Sequence, residues 1–244
     1  MIKYIPVVFI GFLLFVSCTG KKSDSGSEAA DNIIFTEAIC IQNNTPLYKE
    51  PGGVGPVISY VPLGEVVHII TDKLIDKEPD AGIYYEAHLS NGTAAWISGS
   101  AIYTNAVPAA VMEEADIYTG PERENKTGYK FYLAEFVLIT KENKEWVNLI
   151  GSGKEKMGWV KKKSISTEPG NVQVAILAQI YLLENNGKLI EDRLPDFIGQ
   201  LPDTPATLTD KLQQIMDNMV ADAVEQSIMD YQEQQIDESK YEED

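Results

Sequence analysis

The 244-residue sequence has few of the side chains that build catalytic centres, since it contains only two cysteines and two histidines. A zinc site needs three or four ligands at local spacing, and neither residue type shows that spacing. No Gly-rich phosphate loop follows a strand pattern, and no serine has evident His and Asp partners. We therefore expect a protein that is not an enzyme and that holds no cofactor or metal.

Basic residues and long apolar runs are also scarce. The sequence has 20 Lys and Arg against 37 Asp and Glu, which gives a formal net charge of −17. Such a chain repels phosphate backbones, so nucleic acid is not an expected partner. The apolar run at residues 5–16 is too short to span a bilayer as a helix. Because Lys3 precedes it, the run is typical of a signal peptide.

The end of this apolar run has a motif of its own. Phe15-Val16-Ser17-Cys18 resembles the lipobox of bacterial lipoproteins, in the looser form found in spirochaetes among others. The resemblance implies removal of residues 1–17 and a lipid on Cys18. The protein would then be anchored to the inner or outer membrane of the cell envelope, with its soluble part periplasmic or surface-exposed. A plain secretory peptide or a short N-terminal anchor is the alternative.

Two further expectations follow from the same region. Residues 18–35 are mostly polar, so they predict a flexible tether. If Cys18 carries lipid, Cys40 has no intramolecular disulfide partner. Cys40 lies between two isoleucines, which indicates a buried and inert thiol.

The middle of the chain contains an internal repeat. Four segments recur in the same order, and the pairs are 46–48 with 116–118, 63–70 with 133–140, 85–87 with 146–148 and 95–97 with 158–160. This alignment places His68 on Leu138 and His88 on Leu149. Each copy is rich in β-branched and aromatic residues between turn signals such as Asn91-Gly92, so it predicts short strands. About 60 residues of short strands must close on themselves to hide their edges, which favours a small barrel.

The repeated pattern resembles the bacterial SH3 domain. The resemblance is clearest at Gly158-Trp159-Val160 with the trailing Ser164-Ile165, and the Leu-x-Glu-x-Val strand is part of the same pattern. It implies a mainly β protein with two tandem SH3-like barrels, at residues 36–104 and 107–167. In that family, aromatic grooves bind peptides or cell-wall fragments.

Aromatic side chains are accordingly the candidate ligand-binding residues. The aromatic content of the two copies predicts a groove in each. The six candidates are Tyr48, Tyr85, Trp96, Tyr118, Trp146 and Trp159. The alternative is that Trp96 and Trp159 belong to the cores, which would leave Tyr48 and Tyr118 as the exposed pair.

The last third predicts a helical region at residues 168–231 and an acidic disordered tail at 232–244. Residues 172–183 predict a buried helix capped by Asn171, with a strand as the alternative. A second helix begins near Thr207 or Thr209, and its apolar stripe either packs on the first helix or binds a partner. Residues 168–244 hold 17 acidic and 4 basic side chains. We therefore hypothesise that this region docks on the lysine cluster at residues 154–163, unless that cluster is simply a solvated face.

Two functions are compatible with this organisation. The first is a lipid-anchored envelope protein whose tandem domains bind a peptide or peptidoglycan. The second is a scaffold or surface lipoprotein that recruits a protein partner through its C-terminal helices.

Overall fold

The structure is a computed structural model that describes residues 35–76, 82–89, 92–121, 126–154, 156–185, 193–202 and 205–241. The predicted signal peptide, Cys18 and nearly all of the predicted tether lie outside these residues, as does Asn91 of the predicted hairpin turn. Ile34–Asp244 form one compact unit.

Two seven-stranded antiparallel sheets follow one another along the chain. The first contains β1 Phe35–Cys40, β2 Thr45–Tyr48, β3 Val57–Val61, β4 Val66–Asp76, β5 Ile83–His88, β6 Ala94–Ser98 and β7 Ile102–Thr104. The second contains β8 Val107–Val111, β9 Ala115–Tyr118, β10 Lys126–Phe131, β11 Phe136–Glu142, β12 Trp146–Gly151, β13 Met157–Lys161 and β14 Ile165–Ser166. We call residues 35–104 the first repeat and residues 107–166 the second repeat.

The two sheets have the same connectivity. The strand order is β3-β2-β6-β5-β4-β1-β7 in the first and β10-β9-β13-β12-β11-β8-β14 in the second. Alternate residues of the strands fill equivalent cores, because successive side chains point to opposite faces. Leu47, Ile69 and Ile97 are buried in one core, and Ile117, Ile139 and Val160 in the other. The predicted mainly β duplication is therefore confirmed.

The turn before β4 shows how closely the copies agree. The Gly64 N–H donates to Cys40 O at 2.8 Å, and the Ala134 N–H donates to Val111 O at 2.9 Å. Both residues have positive φ, at +80° for Gly64 and +65° for Ala134. Glycine adopts this conformation without steric cost, whereas alanine is strained there.

The predicted closure of each unit into a barrel is wrong. Among the described strands, the end strands β3 and β7 do not pair with each other, and neither do β10 and β14. The last strand of each sheet is too short to seal it, since β7 has three residues and β14 has two. Very short edge strands are an alternative way to limit pairing with other chains.

The sequence alignment of the repeats slips by one residue at β5. Ile69 pairs with Ala87 in the first sheet, and its counterpart Ile139 pairs with Leu149 in the second. Tyr84 therefore corresponds to Trp146, and His88 corresponds to Ile150 rather than Leu149. An alignment error of one residue assigns every side chain to the opposite face of the strand. The corrected alignment therefore decides which aromatic residues share a face.

The described residues after the sheets form three helices: α1 Pro169–Glu184, α2 Leu194–Ile198 and α3 Thr207–Tyr241. The first confirms the predicted buried helix. Val172, Ala175 and Ala178 of α1 are buried against Phe136 and Leu138 of the second sheet, in a cluster that also contains Leu208 and Leu212 of α3. Ile41 and Leu63 of the first repeat belong to the same cluster, so the helices join both repeats.

Asn171 does not cap α1 as predicted, because the helix already begins at Pro169. Proline suits this first position, where its missing N–H costs nothing. The buried Asn171 side chain instead accepts a hydrogen bond from the Leu208 N–H at 2.9 Å, and thus satisfies a donor at the start of α3. The cap therefore serves the neighbouring helix.

Among the described residues, no ion pair supports the hypothesis that the acidic helices dock on the lysine cluster. In the described part of the chain, the cluster pairs with acids of its own repeat, such as Lys156 with Glu135 at 2.6 Å and Lys161 with Glu145 at 3.1 Å. The helices are held by apolar packing instead. Lys211 of α3 donates to the carbonyl of Met112 in the second repeat at 2.9 Å.

Helix α3 is much longer than its packed part. Its side chains are exposed from Val220 to Gln226, and the helix continues through Tyr241 into the segment predicted as a disordered tail. None of the helices among the described residues is both long and apolar enough to cross a membrane.

Candidate functional site

An aromatic group lies on the outer face of the first repeat. Tyr48 of β2 is paired directly with Trp96 of β6, and both side chains point away from the core that holds Leu47. Tyr84 of β5 reaches the same place, with its ring 6.2 Å from that of Tyr48 in an edge-on arrangement. We call Tyr48, Tyr84 and Trp96 the first aromatic face.

The second repeat carries the counterpart. Tyr118 of β9 is paired directly with Trp159 of β13. Trp146 of β12 lies edge-on to Tyr118, with the ring centroids 5.0 Å apart. We call Tyr118, Trp146 and Trp159 the second aromatic face. The arrangement of two aromatic rings beside a tryptophan is thus duplicated together with the sheet.

The two faces differ in how open they are. In the second, Lys161 lies opposite Trp146 in the ladder, and its amine is 3.9 Å from the centre of the indole ring. Trp146 is only 5% exposed. In the first, the residue opposite Tyr84 is Ser98, which is too short to cover the ring. Tyr48, Tyr84 and Trp96 each remain partly exposed.

Each face also has a polar group next to its tryptophan. Glu86 is paired with Trp96 in the first repeat, and Asn148 is paired with Trp159 in the second. The Glu86 carboxylate lies 3.0 Å from His88 Nε2, and Asn148 Oδ1 accepts a hydrogen bond from the Thr140 hydroxyl at 2.7 Å. The faces therefore combine rings for stacking with a fixed polar side chain, a combination suited to amphipathic ligands.

Tyr85, the sixth residue predicted from the sequence, is not part of either face. It is paired with the buried Ile97, and its ring packs against Gly99 on the other side of the sheet. There it lines a cleft of about 420 Å³ between the two repeats, together with Tyr103, Thr140 and Lys154.

Tyr84 is the residue that the sequence-based selection passed over. It is adjacent to Tyr85, and either tyrosine can be aligned with Trp146 when the loop lengths differ. Pairing Ala87, rather than His88, with the buried position Leu149 would have identified Tyr84.

Cys40 is buried, as expected for a core thiol. It is fully buried, and its Sγ lies 3.1 Å from Thr45 Oγ1. Burial raises the pKa of the Cys40 thiol, so the nucleophilic thiolate is disfavoured. Within the described residues, no three His, Cys, Asp or Glu side chains are grouped closely enough to hold a metal ion.

Comparisons with known proteins identify distant structural similarity only. No protein-family model and no curated protein matches the sequence. Two solved structures from Trichomonas vaginalis are similar to parts of the chain. NlpC2 is 17% identical with a TM-score of 0.24 over 57% of this chain, and NlpC1 is 18% identical with a TM-score of 0.25 over 60%. This chain covers 50% of the first and 51% of the second.

Proposed function

We propose that this protein is a non-catalytic, lipid-anchored component of the bacterial cell envelope whose two SH3-like repeats bind a peptide or peptidoglycan ligand through their aromatic faces. The observation that carries this proposal is the recurrence of the same aromatic arrangement in both repeats, on the side of each sheet opposite the core formed within that repeat. Large rings on a solvent-facing surface are not needed to fill a core, and they offer rigid contact area for a ligand.

The first aromatic face is the principal binding surface in this proposal. No lysine in the described part of the chain covers its rings, and apolar side chains of the adjacent loop and strand, Val54, Val57 and Ile58, are exposed beside it. The second face contributes less while Lys161 covers Trp146. Two sites of unequal strength on one chain still raise the overall affinity for a polymeric ligand, because the second binding event is intramolecular.

Peptidoglycan sedimentation tests the binding function. The chain from Thr19 onward would be incubated with purified peptidoglycan at low and moderate salt, and the pelleted fraction measured. We expect Tyr48→Ala to weaken retention about tenfold, since it removes a central aromatic contact. Tyr129→Ala is the control, because Tyr129 is 72% exposed but lies outside both faces. Absence of retention, or equal retention of both variants, would exclude peptidoglycan as the ligand of this face.

Metabolic labelling tests the anchor. Incorporation of labelled palmitate into the full chain, and its loss in Cys18→Ser, is the expected result. Cys40→Ala should incorporate as much label as the unchanged chain, since Cys40 is buried. A mature protein that retains residues 1–17 would contradict the anchor.

The long exposed part of α3 favours a second candidate, in which the protein recruits a partner through its C-terminal helix. Val220 and Val224 are exposed one turn apart on the same side of α3, at 58% and 53%. A helix that projects into water gains little stability from its own hydrogen bonds, so packing on a partner would stabilise it. Crosslinking of the chain with and without residues 220–244 distinguishes the candidates. Loss of a crosslinked partner on truncation favours recruitment, whereas unchanged crosslinks together with retained peptidoglycan binding favour the first.

A further inference from the structure

The cleft between the two repeats contains a lysine in an unusual setting. The loop Ser152–Lys154 of the second repeat is fixed against the first repeat, because the Ser152 hydroxyl and the Gly153 N–H both donate to Ile41 O at 3.0 Å. Lys154 has a positive φ of +63°. Its amine reaches across the boundary and donates to Gly99 O at 3.0 Å.

The charge of this amine is not neutralised by any described residue. Six other lysines of the second repeat each have a carboxylate within 4 Å, namely Lys126, Lys130, Lys156, Lys161, Lys162 and Lys163. Lys154 has one carbonyl and the ring of Tyr103, whose centre is 5.7 Å away. Burial lowers the pKa of the Lys154 amine, which agrees with a half-buried cation that has no anion beside it. Glu155 follows in the sequence but lies outside the described residues.

The rest of the cleft is suited to an anionic group with a small organic body. An ammonium has three N–H donors, and the Gly99 carbonyl accepts one of them. Tyr103, Thr104 and Asn105, which carry hydroxyl and amide groups, line the same space, which measures about 420 Å³. Tyr85 and Tyr103 provide aromatic walls. Hydrogen bonds from an ammonium to a carboxylate are among the stronger ones in proteins.

We infer that this cleft is a binding site for a carboxylate, carried at the C-terminus of a short peptide. The carboxylate contacts the Lys154 amine, and the residue that bears it lies between Tyr85 and Tyr103. The inference that the carboxylate belongs to a peptide rests on the proposed function. The inference that the cleft binds an anion rests on Lys154 and the cleft alone. The site is separate from both aromatic faces, because none of the residues that line the cleft belongs to either face.

A matched pair of ligands tests the inference. N-acetyl-alanyl-alanine and its C-terminal amide differ only in the charge at the end of the peptide. Each would be titrated into the chain from Thr19 onward and followed by the amide NMR signals of Gly99, Asn105 and Lys154. We expect the acid to shift these signals and to bind at least about tenfold more tightly than the amide. Equal binding of both peptides, or shifts confined to the aromatic faces, would overturn the inference.

Variants separate the cleft from the rest of the surface. Lys154→Met keeps the length of the side chain but removes the charge, so it should abolish the preference for the acid. Lys163→Met is the control, since Lys163 is 78% exposed and pairs with Glu113. Glu155→Gln should keep the preference unchanged. If Glu155→Gln instead raised the affinity for the acid tenfold, Glu155 would be neutralising Lys154 in the unchanged protein. The inference would then fail.

The unchanged protein provides a test that does not depend on the folding of a variant. The affinity for the acid should fall as the pH rises through the lowered pKa of Lys154, because the amine then loses its proton. The affinity for the amide should not change over this range. A pH-independent preference would contradict the role of Lys154. Tyr48→Ala should leave the preference intact, so failure of the cleft and failure of the aromatic face give different results.

Discussion

The two repeats share one fold but present different outer faces at the same place in the sheet. One cross-strand row of the first repeat is Glu37, His68 and His88, while the corresponding row of the second is Pro108, Leu138 and Ile150. Leu138 and Ile150 of the apolar row are buried in the cluster that contains α1, whereas His68 stays half exposed. Next to His68 and His88 the first repeat keeps an open groove of about 700 Å³, bordered by Phe35 and Val66. The composition of a single row therefore decides which of two equivalent faces the helices cover.

Exchanging residues of this row should produce the largest effect. Leu138 is fully buried, so Leu138→His would lose its apolar contacts and place an imidazole among aliphatic side chains. We expect a loss of about 3–5 kcal/mol in the free energy of unfolding, measured by urea denaturation. The reciprocal change His68→Leu should alter it by less than about 1 kcal/mol, because that position is half exposed. Similar costs for the two exchanges would show that the helices do not depend on this row.

The turn before β4 provides the next comparison. Gly64→Ala would introduce a side chain at φ +80° and drive its Cβ into Ile176 of α1. We expect it to reduce the free energy of unfolding by about 2–3 kcal/mol. Ala134→Gly, at the same place in the second repeat, relieves strain but loses a buried methyl group, so its net effect should stay within about 1 kcal/mol. The same urea titration checks both, and a cost for Ala134→Gly equal to that of Gly64→Ala would contradict the strain argument.

Cys40 and Val111 occupy equivalent positions in β1 and β8, and only Cys40 can titrate. Since burial raises the pKa of the Cys40 thiol, the unfolded chain loses this proton at a lower pH than the folded chain. The protonated thiol therefore stabilises the folded state fully at pH values below the thiol pKa of the unfolded chain, which is about 8.5. This stabilisation is lost as the pH rises through the pKa of Cys40 in the folded chain.

Urea titrations at pH 7.5 and 10 of the chain from Thr19 onward, which has Cys40 as its one thiol, measure this effect. We expect the unchanged chain to lose more stability between the two pH values than Cys40→Ala does. Equal losses would show that the thiol titrates alike in the folded and unfolded states. Alkylation of Cys40 should also require unfolding, because the side chain is fully buried.

The sequence predicted what is encoded locally and missed what depends on distant contacts. Alternating apolar residues and turn glycines suffice for the strands and for the duplication. The register at β5 was not predictable, because the bulge in β4 spans Thr71 to Lys73 while that in β11 is Thr140 alone. For the same reason the sequence selected Tyr85 instead of Tyr84. The covering of Leu138 depends on α1, more than 30 residues further along the chain. Tyr48, Trp96, Tyr118 and Trp159 were predictable because each lies in a strand with a strong repeat motif.

The smallest expected effect concerns the lysine that closes the second aromatic face. Lys161→Ser installs the residue found at the corresponding place of the first repeat, Ser98, and removes the amine from above Trp146. Loss of a cation–π contact and of an ion pair with the exposed Glu145 should cost about 0.5–1 kcal/mol. The clearer readout is tryptophan fluorescence, which acrylamide should quench more strongly once Trp146 is open to solvent.

Lys162→Ser is the matched control for this change. Lys162 pairs with Glu142 on the surface of the same repeat, as Lys161 does with Glu145, so both changes remove one exposed ion pair. Of these two lysines, only Lys161 lies over an aromatic ring. If both variants were quenched to the same extent, the low exposure of Trp146 would arise from packing against Tyr118 rather than from the lysine. The second aromatic face would then be less exposed because the Trp146 ring lies deeper against its neighbours, and not because Lys161 covers it. Exposing that ring would require a substitution in β12 itself.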